Sequence, residues 1–214
     1  MTRLKREQLI SAALDLIDEE GGEALTMRSL AARVDRQVSS LYNHVGSRGE
    51  LIELVRARIV EGIDVSAFGV HPWDAALDAW ARSYLTAFAA HPNAIPLLAT
   101  TPIRDRSTLE MYETVVGSLL AGGWSTRDAV AVMRTVEAHV LGSALDIVAP
   151  GDLLTQASVP AELGSLRSAL DPEHADASGA ERAFRLGLEA LMHGLRVRHA
   201  AAGDRPPASG ERLP

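Results

Sequence analysis

The chain has no cysteine. That excludes a disulfide framework and cysteine-ligated zinc, and it fits a reducing cytoplasm. No run approaches the roughly 18 apolar residues that a membrane span needs. No charged-then-apolar leader opens the chain. These absences predict a soluble, cytoplasmic protein with no membrane partner. Catalytic signatures are missing too: there is no H-E-x-x-H, no P-loop, no G-x-S-x-G and no dinucleotide fingerprint. His139 and Asp146 lie seven apart on one helical pattern, but they lack a nucleophile or metal to work with. The reading is therefore not an enzyme, with no catalytic residue, no cofactor and no metal. Lysine is nearly absent as well. Lys5 stands alone beside many arginines, a trait of genome composition and not of function.

What is present is enough to fold. The 214 residues are 47% hydrophobic, which excludes global disorder. The net charge is −7 and it is unevenly spread. Residues 1–60 carry nine basic and nine acidic groups, so the remaining chain holds the whole excess of acid. A relatively basic end hints at nucleic acid.

Helical periodicity dominates the pattern. Leu9, Ile10, Ala13, Leu14 and Ile17 make an amphipathic first helix that Gly21-Gly22 ends. Thr26 caps a second helix carrying Leu30, Ala31 and Val34 inward. After a break at residues 35–37, a third helix runs over about 38–45 with Leu41 and Val45 buried. Ser47 and Glu50 form an S-x-x-E capping box for a fourth helix, with Leu51, Leu54, Val55 and Ile59 inside. Residues 65–72 read as a boundary. Helices follow over 73–90, 108–121 and 125–148, with a short one between Pro96 and Pro102. Residues 149–179 read as a long loop, and the last helix spans 180–199. From Ala200 the glycine, proline and charge predict a disordered tail.

A helix, a turn and a short polar helix form the layout of a DNA-reading helix-turn-helix. Ser39, Ser40, Tyr42, Asn43 and His44 concentrate on the third helix without an acid among them. The pattern alone also fits a solvated surface helix. Residues 25–54, LTMRSLAARVDRQVSSLYNHVGSRGELIEL, resemble the DNA-binding domain of TetR-family regulators. The resemblance lies in Leu25-Thr26, Leu30-Ala31, Leu41-Tyr42-Asn43-His44-Val45 and Arg48 before Leu51. The L-Y-x-H-V ending is similar to the tetracycline-repressor branch. So is Phe184-Arg185-Leu186-Gly187-Leu188-Glu189-Ala190-Leu191 with Gly194-Leu195 after it.

The resemblance implies an all-α fold. It divides into a three-helix helix-turn-helix domain over 1–47, a connecting helix over 48–64, a helical ligand-binding and dimerisation domain over 65–200, and the tail over 201–214. It places Thr26, Tyr42, His44 and Arg48 on DNA phosphates. It places Arg28, Gln37, Val38, Ser39, Ser40 and Asn43 toward base edges. In the turn the chain departs from the family's glycine and apolar residue with Asp35 and Arg36. Asp tolerates left-handed backbone better than most residues.

For the second domain the resemblance implies a homodimer, paired through helices 125–148 and 180–199, that reads palindromic operator DNA. It also implies a cavity among the middle helices for an unknown small-molecule inducer. Candidate lining residues are Trp80, Tyr84, Phe88, Leu98, Arg104, Met111, Tyr112, Met133, Val136 and His139. Large residues at this spacing are also what a plain helical core uses. The namesake's metal-tetracycline chemistry does not carry over, because Asp64, Arg82 and Thr100 stand where that site wants a histidine, an amide and a second histidine. Turnover of a ligand, or a purely structural role, remains the alternative at this stage.

Overall fold

The computed structural model describes residues 5–151, 153–173 and 179–203. Ten α-helices follow one another among them: α1 (Arg6–Glu20), α2 (Met27–Arg33), α3 (Val38–Leu41), α4 (Arg48–Val60), α5 (Trp73–Ala89), α6 (Ile95–Ala99), α7 (Arg106–Ala121), α8 (Thr126–Ile147), α9 (Gly164–Ala169) and α10 (Gly179–Gly203). Two residues, Phe68 and His71, make an isolated bridge in the connection between α4 and α5.

Local chemistry sets most of the boundaries. A helix start leaves backbone N–H groups without partners, and side-chain oxygens satisfy some of them. Thr26 Oγ1 accepts from Ser29 N at 3.0 Å, Ser47 Oγ from Glu50 N at 3.1 Å, Asp105 Oδ1 from Thr108 N at 2.9 Å and Ser125 Oγ from Asp128 N at 3.2 Å. The box at α4 is only half made. Glu50 does not return to Ser47; its Oε2 takes the Gly46 N–H at 2.7 Å and its Oε1 takes Arg6 at 2.7 Å.

Three boundaries differ from those expected. The α-helical part of α3 stops at Leu41, and the chain reaches His44 through i→i+3 bonds such as His44 N to Leu41 O at 2.9 Å. Short helices tighten this way because four residues cannot sustain an i→i+4 ladder. Leu41 and Val45 are nevertheless buried as the pattern predicts. The loop over 149–179 contains α9, held by Arg167 Nη1 on the carbonyls of Gln156 and Val159. At the far end, α10 continues through Gly203, so Ala200–Gly203 are helical and not tail. The rest of the expected tail lies outside the described residues.

One apolar core joins both halves of the chain. α1 packs on α4, α5 on α8, and α8 on α10. α4 is the shared element: it touches α1 on one side and α5 and α7 on the other. Fully burying one Leu- or Val-sized side chain stabilises by ~1.5–3 kcal/mol. Leu51, Val55 and Ile59 of α4 are such residues, so this helix cannot shift without disturbing both halves. A second tie runs from the end of α1 to the chain before α6. Asp18 Oδ2 lies 2.8 Å from His91 Nδ1, and Asn93 Nδ2 donates to the Asp18 carbonyl at 2.7 Å. Among the described residues no helix is long and apolar enough to cross a membrane.

Candidate nucleic-acid face and ligand cleft

α2 and α3 meet at a turn whose hinge is Asp35, with φ at +52°. A side chain in this left-handed region is strained unless it is glycine or a short polar residue. Aspartate therefore lets the turn close, and Arg36 N reaches Ala31 O at 2.9 Å. Arg33 binds Glu19 through both terminal nitrogens, at 2.8 and 2.5 Å, and so fixes α2 on α1.

The polar side chains predicted to read DNA lie on the outside of this unit. Arg28, Gln37, Ser39, Tyr42 and Asn43 are exposed, while Val38, Ser40 and His44 are half-buried. Tyr42 is 52% exposed, too open for a core role. Thr26 is exposed, with its hydroxyl engaged as the cap of α2. Arg48 sits differently from the others. It is half-buried, and it donates from Nε to Leu25 O at 2.6 Å and from Nη2 to Gly22 O at 3.4 Å. A guanidinium has five N–H donors, so donors on the Nη groups remain for a phosphate.

The second site is a cleft of about 710 Å³ between α5, α6, α7 and α8. Tyr84, Phe88, Leu98, Tyr112 and Met133 line it. The other predicted lining residues lie elsewhere. Trp80, Met111 and Val136 are buried in the core, with Trp80 edge-on to Tyr84 at 5.1 Å. His139 turns toward α10, stacks on Phe184 and places Nε2 3.0 Å from the Phe184 carbonyl. Arg104 lines a separate cleft of about 630 Å³ beside α4. Asp64, Arg82 and Thr100 do not line the 710 Å³ cleft. Asp64 takes the Ser66 N–H, Arg82 pairs with Asp78, and Thr100 bonds back to Pro96 O.

Four charged residues of the cleft escaped the sequence reading; Glu113 and Arg134 are exposed, and the other two are more buried. Glu137 Oε1 accepts from both tyrosine hydroxyls, from Tyr84 at 2.9 Å and from Tyr112. Burial, and next the nearby Glu137 carboxylate, pushes both hydroxyls well above the ordinary tyrosine range. The other residue is Arg56, on α4. Its Nη2 donates to Leu98 O at 3.1 Å and to Thr101 O at 2.9 Å, and its Nε meets Glu53 at 3.3 Å. Glu53 in turn accepts the backbone N–H groups of Arg104 and Asp105 at 2.5 and 2.8 Å. A signal for both residues existed: each interrupts or borders an apolar stripe of a buried helix.

Residues 9–55 match the model of bacterial regulatory proteins of the tetR family, and residues 69–199 match that of the tetracyclin repressor-like C-terminal domain. The tetracycline repressor protein class D of Escherichia coli is 29% identical over 208 residues, 94% of this chain and 93% of its own. The HTH-type transcriptional repressor DrrR1 of Streptomyces coeruleorubidus is 30% identical over 142 residues, 66% of this chain. The chain spans about half the length of that relative, 53%. Apo ActR from Streptomyces coelicolor superposes with a TM-score of 0.77 at 25% identity, covering 94% of this chain and 99% of ActR. ActR in complex with actinorhodin has a TM-score of 0.74 at 25% identity, over 92% of this chain and 99% of that one. Two matched family models, an all-helical fold and a helix-turn-helix joined by α4 to a helical body together place the chain in the tetR family of bacterial regulatory proteins.

Proposed function

We propose that this chain is a ligand-responsive transcriptional repressor that binds palindromic operator DNA as a homodimer and leaves it when a small-molecule inducer fills the 710 Å³ cleft. The observation that carries this reading is α4. Arg48 at its first turn belongs to the DNA face, and Arg56, eight residues later, lines the cleft and holds the end of α6. At 1.5 Å per residue the two lie roughly 12 Å apart along one rigid rod. A ligand that displaces Leu98 or Thr101 must move Arg56 or break its bonds. Either event tilts the rod that seats the DNA-reading unit. The ligand works only if it binds the DNA-incompetent arrangement more tightly.

Residues 1–47 form the DNA-binding part in this reading, 48–64 the connection, and 65–200 the sensing and pairing part. Pairing is supported by two exposed stripes on packed neighbours. On α8 the stripe is Ala138, Gly142 and Leu145; on α10 it is Leu186, Ala190, Gly194 and Val197. Small residues allow close approach of helices, and a two-fold axis would bring two recognition helices to successive half-sites about 34–36 Å apart.

The test is a mobility shift on DNA upstream of the protein's own coding region, with candidate ligands added. A retarded band that a ligand dissolves supports the switch. Absence of any retarded band across the promoter fragments would refute operator binding.

A further inference from the structure

The cleft's own chemistry narrows what fills it, and this narrowing rests on the reading of the cleft as a ligand site. Part of its side-chain hydrogen-bond donor capacity is spent within the protein. Arg56 serves Glu53, Leu98 O and Thr101 O. Thr101 Oγ1 donates to Leu97 O at 2.8 Å. Tyr84 and Tyr112 both give their protons to one oxygen of Glu137. The other oxygen, Oε2, takes no donor among the described residues, although Glu137 lines the cleft. Arg56 is paired with Glu53, and Arg134 and Glu113 are exposed. Half-buried Glu137 makes no ion pair among the described residues; it meets the two tyrosine hydroxyls instead. Beside it the walls are aromatic: Tyr84 and Phe88 stack at 4.8 Å with 15° between planes.

From the open Glu137 carboxylate oxygen beside these aromatic walls we infer that the cleft takes a flat aromatic molecule bearing a hydrogen-bond donor, a protonated amine or a phenol, which docks on Glu137 Oε2. The ring lies along Tyr84 and Phe88, and the donor end meets the carboxylate. An aromatic acid of the same shape meets Glu137 with like charge. Hydrogen bonds to an ionised partner are stronger than neutral ones, while like charges in a partly buried site repel.

The experiment uses the full chain and three fluorescent probes that share one ring system: 9-(aminomethyl)anthracene, 2-hydroxyanthracene and anthracene-9-carboxylate. Probe anisotropy gives each Kd. The amine and the phenol should bind at least about ten-fold tighter than the acid. Glu137→Gln should weaken the amine by about ten-fold and erase its advantage over the acid. Tyr112→Phe frees part of the Glu137 oxygen and should tighten the amine several-fold, and it keeps the test alive should Glu137→Gln not fold. Equal binding of amine and acid to the unaltered protein would overturn the inference. So would a ratio insensitive to both variants, or binding of none of the three. The switch itself is separable. If the amine binds through Glu137 but leaves the DNA band unchanged at saturation, the ligand class stands and the repressor-release reading falls. If the acid dissolves the band as well as the amine does, the switch stands and this inference falls.

Discussion

Arg56 is 5% exposed and still bears a full charge. Its desolvation is offset by one carboxylate and two carbonyls, all of which lose their partner if it is removed. Breaking one side of a buried pair costs about 3–5 kcal/mol. Arg56→Ala should therefore lower unfolding stability by about 3 kcal/mol in urea titration. The double variant Glu53→Gln/Arg56→Met should recover part of that loss, because no uncompensated charge then stays buried. Equal losses in the two variants would show that the pair is not coupled. Glycine at 187 gives a second contrast. A Cβ there would run into the His139 ring, whereas one at Gly117 meets nothing within 4 Å. Gly117→Ala should raise stability by about 0.5–1 kcal/mol through helix propensity. Gly187→Ala should lose about 1–3 kcal/mol from overpacking. Thermal melts of both, with His139→Ala as the relieving background for Gly187→Ala, would settle the comparison.

At the scale of the element, the turn between α2 and α3 is the point of tension. Asp35 carries a positive φ that costs an L-residue roughly 1–2 kcal/mol. Asp35→Gly should leave stability level or slightly higher, and Asp35→Val should lower it by about 1–2 kcal/mol. A valine tolerated without loss would mean that the turn has another conformation. Recognition divides along the same elements. Ser39→Ala or Asn43→Ala should relax sequence preference, since both side chains are exposed on the face assigned to base edges. Arg48→Ala should weaken binding to every sequence and flatten its salt dependence. It should also destabilise the DNA-reading unit, because Arg48 holds the Leu25 and Gly22 carbonyls. Competition with unrelated DNA across a salt series separates the two classes. Unchanged non-specific affinity and slope in Arg48→Ala would remove it from the phosphate contacts.

The whole molecule adds pairing and pH. Leu188 and Ala144 look like interface residues from their place in the stripes, but both are fully buried within one chain. A charge at either would disrupt the fold before it could split a dimer. The exposed positions are Leu186, at 68%, and Val197, at 57%. Leu186→Glu and Val197→Glu should give folded monomers by sedimentation, at micromolar concentrations where the unaltered chain sediments as a dimer. A monomeric unaltered chain would end the dimer proposal. α10 is also clasped to the start of α5 by Arg196 on Asp74, at 2.6 Å. The hydrogen bond from Arg196 holds the Asp74 carboxyl below its usual range. A depressed folded pKa adds stability above the unfolded value of about 3.9, and that stability fades as pH falls through the folded value. The clasp should therefore weaken below about pH 4, and Asp74→Asn should remove that part of the acid sensitivity. The pair is partly solvent-exposed, so the effect is small. An Asp74→Asn chain with an unaltered acid-melting profile would rule the clasp out as a contributor.

By itself the amino-acid sequence determined what local rules govern. Apolar residues at three-to-four spacing, caps at Thr26, Ser47 and Ser125, and breaks at Gly21 and Gly122-Gly123 delimit helices, because those forces act within one or two turns. The outward polar face of α3 was legible for the same reason. Tertiary structure alone decided which large residues line a cavity and which fill the core. Tyr84 and Trp80 share one helix face at i,i+4, yet only Tyr84 reaches the cleft. It also decided the fate of charges. Arg56 finds its carbonyls more than forty residues away, and Glu137 gathers hydroxyls from α5 and α7. A charge is buried only where distant partners converge on it, and that convergence exists only once the helices have packed.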